Sequence, residues 1–203
     1  ADVVVCQRIL ADRAAKSAPQ AQLVTLDNFL ADPHLDALYN ALTSTAPVLD
    51  AKAEAAAKEQ IEWGLHQADI IKISDEEVDF LWGLSPQESA QKLLTEYGAS
   101  LVYVTLGPKG CYFANRNCTG EIASPAEIHV VDTTGAGDIF GGSAMSRFLK
   151  LNKAPADLTK KELTAITTFA CCAASLSTQK HGGITSVVPE AEVRERIARM
   201  VQA

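Results

Sequence analysis

The chain has 203 residues, with 18 Lys and Arg against 25 Asp and Glu, a formal net charge of −7. With 47% apolar and 21% charged residues, it has ordinary globular composition, which excludes extended disorder and needs no disulfide or metal staple. The acidic balance excludes nucleic-acid binding through the overall field, which needs a basic face, yet leaves room for an anion held locally.

In chain order, the β-branched run at 3–6 reads as a buried strand. An Ala-rich helix is expected at 8–16, a second strand at 22–26, and a helix at 33–42 that Asp32 caps and Pro33 opens. Residues 51–67, rich in Ala, Lys, Glu and Gln, predict another helix. It leads into a strand at 68–74 ending on Ser74, and the acidic Asp75, Glu76 and Glu77 suit the first turn of the helix that follows. Ser85-Pro86-Gln87-Glu88 combines an N-cap, a proline at the first helical position and a capping-box glutamate, and its helix ends near Gly98. Next come a strand at 101–106, a turn at Gly107 and Gly110, its hairpin partner at 111–114 and an extended segment at 121–131. Helices are expected at 139–149, 157–178 and 190–201. This alternation points to an α/β fold, a doubly wound and mostly parallel sheet flanked by helices, in one domain over 1–203. Ligands bind such sheets off the carboxyl ends of the strands, here Ser74, Gly107 and the segment after Val131.

That last segment is Asp132-Thr133-Thr134-Gly135-Ala136-Gly137-Asp138-Ile139-Phe140-Gly141-Gly142. Two glycines around an alanine permit close backbone approach, and the helix behind them points the N–H groups of Gly135, Ala136 and Gly137 forward, a setting for a phosphoryl group. Asp138 falls in the first turn. A carboxylate there is poorly placed to bind phosphate but well placed to take a proton from a hydroxyl attacking it. For an isolated Gly-x-Gly, the plainer reading is a glycine-rich turn with Asp138 as a favourable first-turn charge.

The longer pattern closely resembles the C-terminal signature of the ribokinase-like (PfkB) carbohydrate kinases. Lys72-Ile73-Ser74-Asp75-Glu76-Glu77 is similar to the segment that in this family holds Mg²⁺ and phosphate through water. Many members carry Asn where Ser74 stands, and the form seen here looks most like the fructokinase branch. Thr105-Leu106-Gly107-Pro108-Lys109-Gly110 is similar to the family's nucleotide-phosphate turn. The resemblance implies a ribokinase-like fold and an ATP-dependent sugar kinase. In it Asp138 is the base for the sugar hydroxyl, and the amides of Gly135, Ala136 and Gly137 stabilise the transferring group. Lys72, Ser74, Thr105, Gly107 and Gly110 serve the nucleotide phosphates, and Glu77 orients Mg²⁺ through its water. Asp132 and Thr134 look like the family's ligands to a monovalent cation, K⁺, completed by carbonyls of the 177–186 loop. The 170–177 helix and the loop with Gly182 and Gly183 wall the adenine pocket.

The same resemblance implies a small-molecule sugar and ATP as partners, and no nucleic acid or membrane. Other branches (ribokinase, ketodeoxygluconate kinase, nucleoside kinase) stay open, as does a non-catalytic binding protein descended from a kinase. Family members are longer, with an N-terminal Gly-Gly sugar motif and a small sheet that forms a lid. Neither is found in this sequence, so 1–203 is expected to be an incomplete kinase core. Asp27-Asn28 is similar to part of the family's Asp-x-Asn-x-Arg sugar-side motif but lacks its spacing residue and its Arg, so a remnant of that motif is the weaker reading. A homodimer formed through the lid is common in the family, and without a lid the oligomeric state stays open.

The remaining signals are weaker. No run of 18 apolar residues predicts a membrane span, and the first residues lack the basic region of a signal peptide. Five cysteines, Cys6, Cys111, Cys118, Cys171 and Cys172, without CxxC spacing favour reduced thiols in a cytoplasmic protein. His34, His66, His129 and His181 lack metal-ligand spacing. Trp63 and Trp82 are expected to pack, and Lys150, Lys153, Lys160 and Lys161 to form a solvated face. Neither a Walker A motif nor a GxGxxG after a strand occurs, which leaves P-loop and dinucleotide chemistry unsupported.

Overall fold

The computed structural model describes residues 3–7, 22–26 and 51–202. The expected helices at 8–16 and 33–42, the Asp27-Asn28 pair and His34 lie outside the described residues. The chain forms two compact units, 1–57 and 58–203. In the first, strands β1 (Val3–Gln7) and β2 (Gln22–Leu26) pair in parallel, Val3 opposite Gln22 and Gln7 opposite Leu26. Helix α1 (Ala51–Leu65), favoured by its Ala-, Lys- and Glu-rich composition, begins in the first unit and continues into the second.

The second unit carries a four-stranded sheet in the order β3 (Ile70–Ser74), β4 (Leu101–Thr105), β5 (Cys111–Asn115), β6 (Thr119–Ile122). β3 and β4 run parallel, Ile70 opposite Leu101 and Ser74 opposite Thr105, while β5 and β6 return antiparallel, so the sheet is mixed. The crossover between the parallel strands holds α2 (Asp75–Trp82) and α3 (Pro86–Thr95). Ser85 caps α3 in the expected capping box with Glu88. Beyond the hairpin come α4 (Ala136–Leu149), α5 (Lys160–Ser177) and α6 (Glu190–Gln202).

The period-two pattern of each strand divides two cores. Ile71, Ile73, Val102 and Val104 pack with Val78, Leu81, Ala90 and Leu93 of α2 and α3. Leu101, Tyr103, Cys111 and Phe113 pack on the opposite face with Phe140, Ala144, Leu163, Ile166, Ala170 and Cys171 of α4 and α5. Helices on both faces make the fold doubly wound. A third cluster, Cys172, Ala173, Leu176, Val188 and Val193, seats α6 on α5. Arg147 of α4 lies over the Phe169 ring, 3.8 Å from its centroid, and pairs with Glu190 at 2.7 Å, tying the three helices together.

Three expectations change. An extended segment is expected over 121–131, and the strand covers only its start, ending at Ile122. Pro125 has no N–H to give a ladder, and Glu127 takes a left-handed φ of 57°. The last helix before the terminal one starts at Lys160, because Pro155–Asp157 forms a separate 3-10 turn and Thr159 is the N-cap, boxed with Glu162. Trp82 packs as expected, donating to Glu62 Oε1 at 3.1 Å with its ring 5.6 Å from Tyr97. Trp63 does not: it is 66% exposed.

Candidate functional site

The first turn of α4 organises the site. Gly135 is its N-cap with a left-handed φ of 76°, and a Cβ placed there would stand 2.7 Å from Gly183 Cα. Only glycine meets both demands. No side chain caps this helix end. Ala136 was expected to offer its amide forward, but that N–H donates to Thr133 O at 3.1 Å. The N–H groups of Gly135, Gly137 and Asp138 make no hydrogen bond among the described residues. Asp138 sits in the first turn, exposed, with no ion pair or hydrogen bond to its carboxylate among the described residues. A free carboxylate beside free amides can accept a proton while the amides hold an anion.

Asp132 fastens the following loop to this turn. Its Oδ1 accepts from Thr134 N at 2.9 Å and its Oδ2 from Gly182 N at 2.8 Å. Thr178 O accepts from both Val131 N and Asp132 N, at 2.8 and 3.0 Å. Those amide bonds, that of Gly182 foremost, hold the Asp132 carboxyl down to about 2. His181 Nδ1 stands 3.9 Å from Oδ2, a neighbour that spacing along the sequence did not mark. The structure therefore brings Asp132, Thr134, Gly182 and Gly183 together. A carboxylate that stays charged, set among backbone turns, suits a loosely hydrated monovalent cation.

At the carboxyl ends of β3 and β4 lie Ser74 and Thr105, neighbours in register. Ser74 and Glu77 form a capping box: Ser74 N donates to Glu77 Oε2 at 2.7 Å, and Glu77 N donates to Ser74 Oγ at 3.2 Å. The box fixes the Glu77 carboxylate and leaves its second oxygen open. Among the described residues no three His, Cys, Asp or Glu side chains cluster for a metal. One fixed carboxylate oxygen fits an ion such as Mg²⁺ that keeps most of its water. Thr105 Oγ1 donates to Ile73 O at 3.4 Å, and the turn after it passes through Gly107 and Gly110, both at positive φ. Gly110 has a structural reason of its own, since a Cβ there would meet Ile122 O at 1.9 Å.

Lys72 lies on the β3 face opposite Ile71 and Ile73. Its Nζ stands 3.1 Å from where a Cβ on Gly137 would be, so β3 and the first turn of α4 meet there. The four described thiols are free, and burial pushes Cys171 up to about 12 and Cys172 up to about 11. Such thiols are inert packing groups.

Residues 10–191 match the sequence pattern described as pfkB family carbohydrate kinase. A maize (Zea mays) protein named Fructokinase-1 is 37% identical over 134 residues, 66% of this chain and 41% of that protein. An Arabidopsis thaliana protein named Probable fructokinase-4 is 32% identical over 149 residues, 73% of this chain and 44% of that one. The chain thus spans about two fifths of the length of the curated relatives it matches. Among solved structures, a Xylella fastidiosa fructokinase with bound ATP aligns with TM-score 0.63 and 24% identity, over 71% of this chain and 47% of that one. A Vibrio cholerae fructokinase double mutant, bound to fructose, ADP and potassium ion, aligns with TM-score 0.59 and 27% identity, over 68% and 43%.

Proposed function

Since the chain belongs to the pfkB family of carbohydrate kinases, we propose that it carries the phosphoryl-transfer machinery of an ATP-dependent sugar kinase of the fructokinase branch. The observation that carries this reading is Asp138, unpaired and exposed in the first turn of a helix whose Gly135 and Gly137 amides are free. The sugar hydroxyl oxygen bonds to the γ-phosphorus as the bond from that phosphorus to the β–γ bridging oxygen breaks. ADP leaves, and the hydroxyl proton passes to Asp138. Gly135 and Gly137 donate to the oxygens of the transferring group, where charge shifts, a contribution of roughly 3 kcal/mol for one well-aimed donor.

Glu77 would orient the water shell of Mg²⁺, an ion that would supply neutralising charge to the phosphate oxygens. Ser74 holds Glu77 in place, and Thr105, Gly107 and Gly110 flank the phosphates from the end of β4. Asp132 and Thr134, completed by carbonyls of the 177–186 loop, would hold a monovalent cation, K⁺, at the loop that the Asp132 hydrogen bonds already fasten. Gly182 and Gly183 border the nucleotide. Fructose as acceptor is supported by the names of the relatives and by the Ser74 form of the β3 segment. A reducing, cytoplasmic setting is supported by the free thiols.

An ADP-release assay over hexoses and pentoses tests the reading. Fructose should be used with a kcat/KM at least roughly tenfold above ribose and ketodeoxygluconate. Mg-ATP binding without ADP release on any polyol would make the protein a binder instead.

A further inference from the structure

Beyond the first turn of α4, one carboxylate serves three cations. Glu190 Oε1 stands 2.7 Å from Arg147 Nη2 and accepts from Arg194 Nε at 2.8 Å, while its Oε2 lies 3.9 Å from Lys150 Nζ. Arg147, Lys150 and Arg194 have no second carboxylate among the described residues. Three cations against one anion leave a local excess of two positive charges, in a chain whose net charge is −7.

Arg147 is the deepest of the three, its side chain 14% exposed against 60% for Lys150 and 63% for Arg194. Phe169 stacks on its guanidinium, yet its Nε–H is buried and has no acceptor. A charged donor kept out of water in this way calls for an acceptor that reaches it. Arg147 also lines a cavity of about 220 Å³ together with Ile139, Ser143, Ser146, Val187 and Glu190. Ser143 and Ser146 lie one helical turn apart, and their hydroxyls make no hydrogen bond among the described residues. Nine residues separate Arg147 from Asp138, about 13 Å along the helix, so this group is distinct from the anion turn.

We propose that this pocket binds a phosphate dianion, free or as a small monoester. Two negative charges match the local excess, where a monocarboxylate brings one and a neutral polyol none. Arg147 donates through Nε, Ser143 and Ser146 donate their hydroxyls, and Lys150 and Arg194 close over the ligand from the solvent side. A guanidinium suits such tetrahedral oxyanions better than an ammonium does. Glu190 lies against the bound dianion and opposes it, which keeps the ligand exchangeable. None of these residues takes part in the phosphoryl transfer proposed above.

The test titrates the full chain with inorganic phosphate at fixed ionic strength, so that screening stays constant. NMR reads the Arg147 Nε–H and the Ser143 amide, with the Gly137 amide as marker of the anion turn. Arg147 Nε–H and the Ser143 amide should shift together and saturate. Arg147→Lys should weaken phosphate roughly tenfold or more, read at Ser143, as for loss of a charged hydrogen bond. Arg147 also ties helices together, so exposed Lys150→Met and Arg194→Met keep the test clear of folding. Each should weaken phosphate about two- to fivefold, with a thermal midpoint near that of wild type when phosphate is absent. Glu190→Gln keeps an acceptor and removes the opposing charge, so it should tighten phosphate about threefold or more. Acetate should bind at least about tenfold more weakly than phosphate. Glycerol 3-phosphate separates the sources: binding at or above the strength of phosphate marks a monoester site, and weaker binding marks a site for the free ion. Arg147 and Ser143 signals unmoved while Gly137 shifts would overturn the proposal. So would unchanged affinity in both Lys150→Met and Arg194→Met, or equal or weaker binding in Glu190→Gln.

Discussion

Asp132 and Gly182, fifty positions apart in sequence, are joined by a 2.8 Å hydrogen bond from the glycine amide to the carboxylate. The same carboxylate accepts from Thr134 N, so one side chain fixes both the turn before α4 and the loop after α5. Asp132→Asn keeps the shape but turns one accepting oxygen into a donor facing another N–H. We expect activation by KCl to be lost and the loop at 178–186 to gain hydrogen exchange. Retained KCl activation would remove Asp132 from the cation site.

The same bond predicts a pH dependence. Asp132, Glu162 and Glu190 are each held near 2, against ordinary values of 3.8 for Asp and 4.5 for Glu. For Glu162 the leading cause is Lys153, and for Glu190 it is Arg147. A depressed carboxyl stabilises the fold fully above its unfolded pKa and loses that contribution as pH falls through the folded one. Stability should therefore be flat in these groups above about pH 5 and fall between about 4.5 and 2. Urea titrations of wild type and Asp132→Asn across that range should converge toward pH 2.

A Cβ at Gly135 or Gly110 would meet backbone, whereas one at Gly137 would meet only the flexible end of Lys72. Gly135→Ala must hold a Cβ residue at φ 76° and push on Gly183 backbone, so it should cost about 1–3 kcal/mol in urea unfolding. Gly110→Ala meets Ile122 O at 1.9 Å and should cost at least as much, with hairpin β5–β6 losing exchange protection first. Equal stability of Gly135→Ala and wild type would contradict the close Gly135–Gly183 approach.

Ser74 and Glu77 separate capping from metal orientation. Ser74→Ala removes the cap of α2 and should cost about 1 kcal/mol. Glu77→Gln keeps an acceptor for Ser74 N and loses only the charge, so it should leave the thermal midpoint nearly unchanged while raising the Mg²⁺ concentration needed for half-maximal turnover. Unaltered Mg²⁺ demand in Glu77→Gln would reduce Glu77 to a capping residue.

Much of this was legible in the sequence because it is local. The Ser85–Glu88 box, the alternation of Leu101 to Thr105, the buried Cys171–Cys172 pair and the Asp132–Asp138 motif each follow from spacing within a few residues. What stayed hidden depends on contacts far apart in sequence. Nothing local says that Ala136 N–H turns back to Thr133, that His181 stands beside Asp132, or that Gly110 is fixed by the backbone of Ile122. Trp63 departs from the expectation because a large apolar side chain on a helix next to a strand usually packs, whereas here it is Trp82 that packs, its ring tilted and 5.6 Å from that of Tyr97. The acidic total also says nothing of the helix start, where the Gly135 and Gly137 amides make no hydrogen bond among the described residues.

If Asp138 takes the proton from the acceptor hydroxyl, as proposed, single-turnover ADP release by Asp138→Asn should fall roughly 10³-fold or more, as for removal of a positioned general base, while Mg-ATP binding by calorimetry stays within about threefold of wild type. Turnover by Asp138→Asn equal to wild type, with binding unchanged, would contradict it.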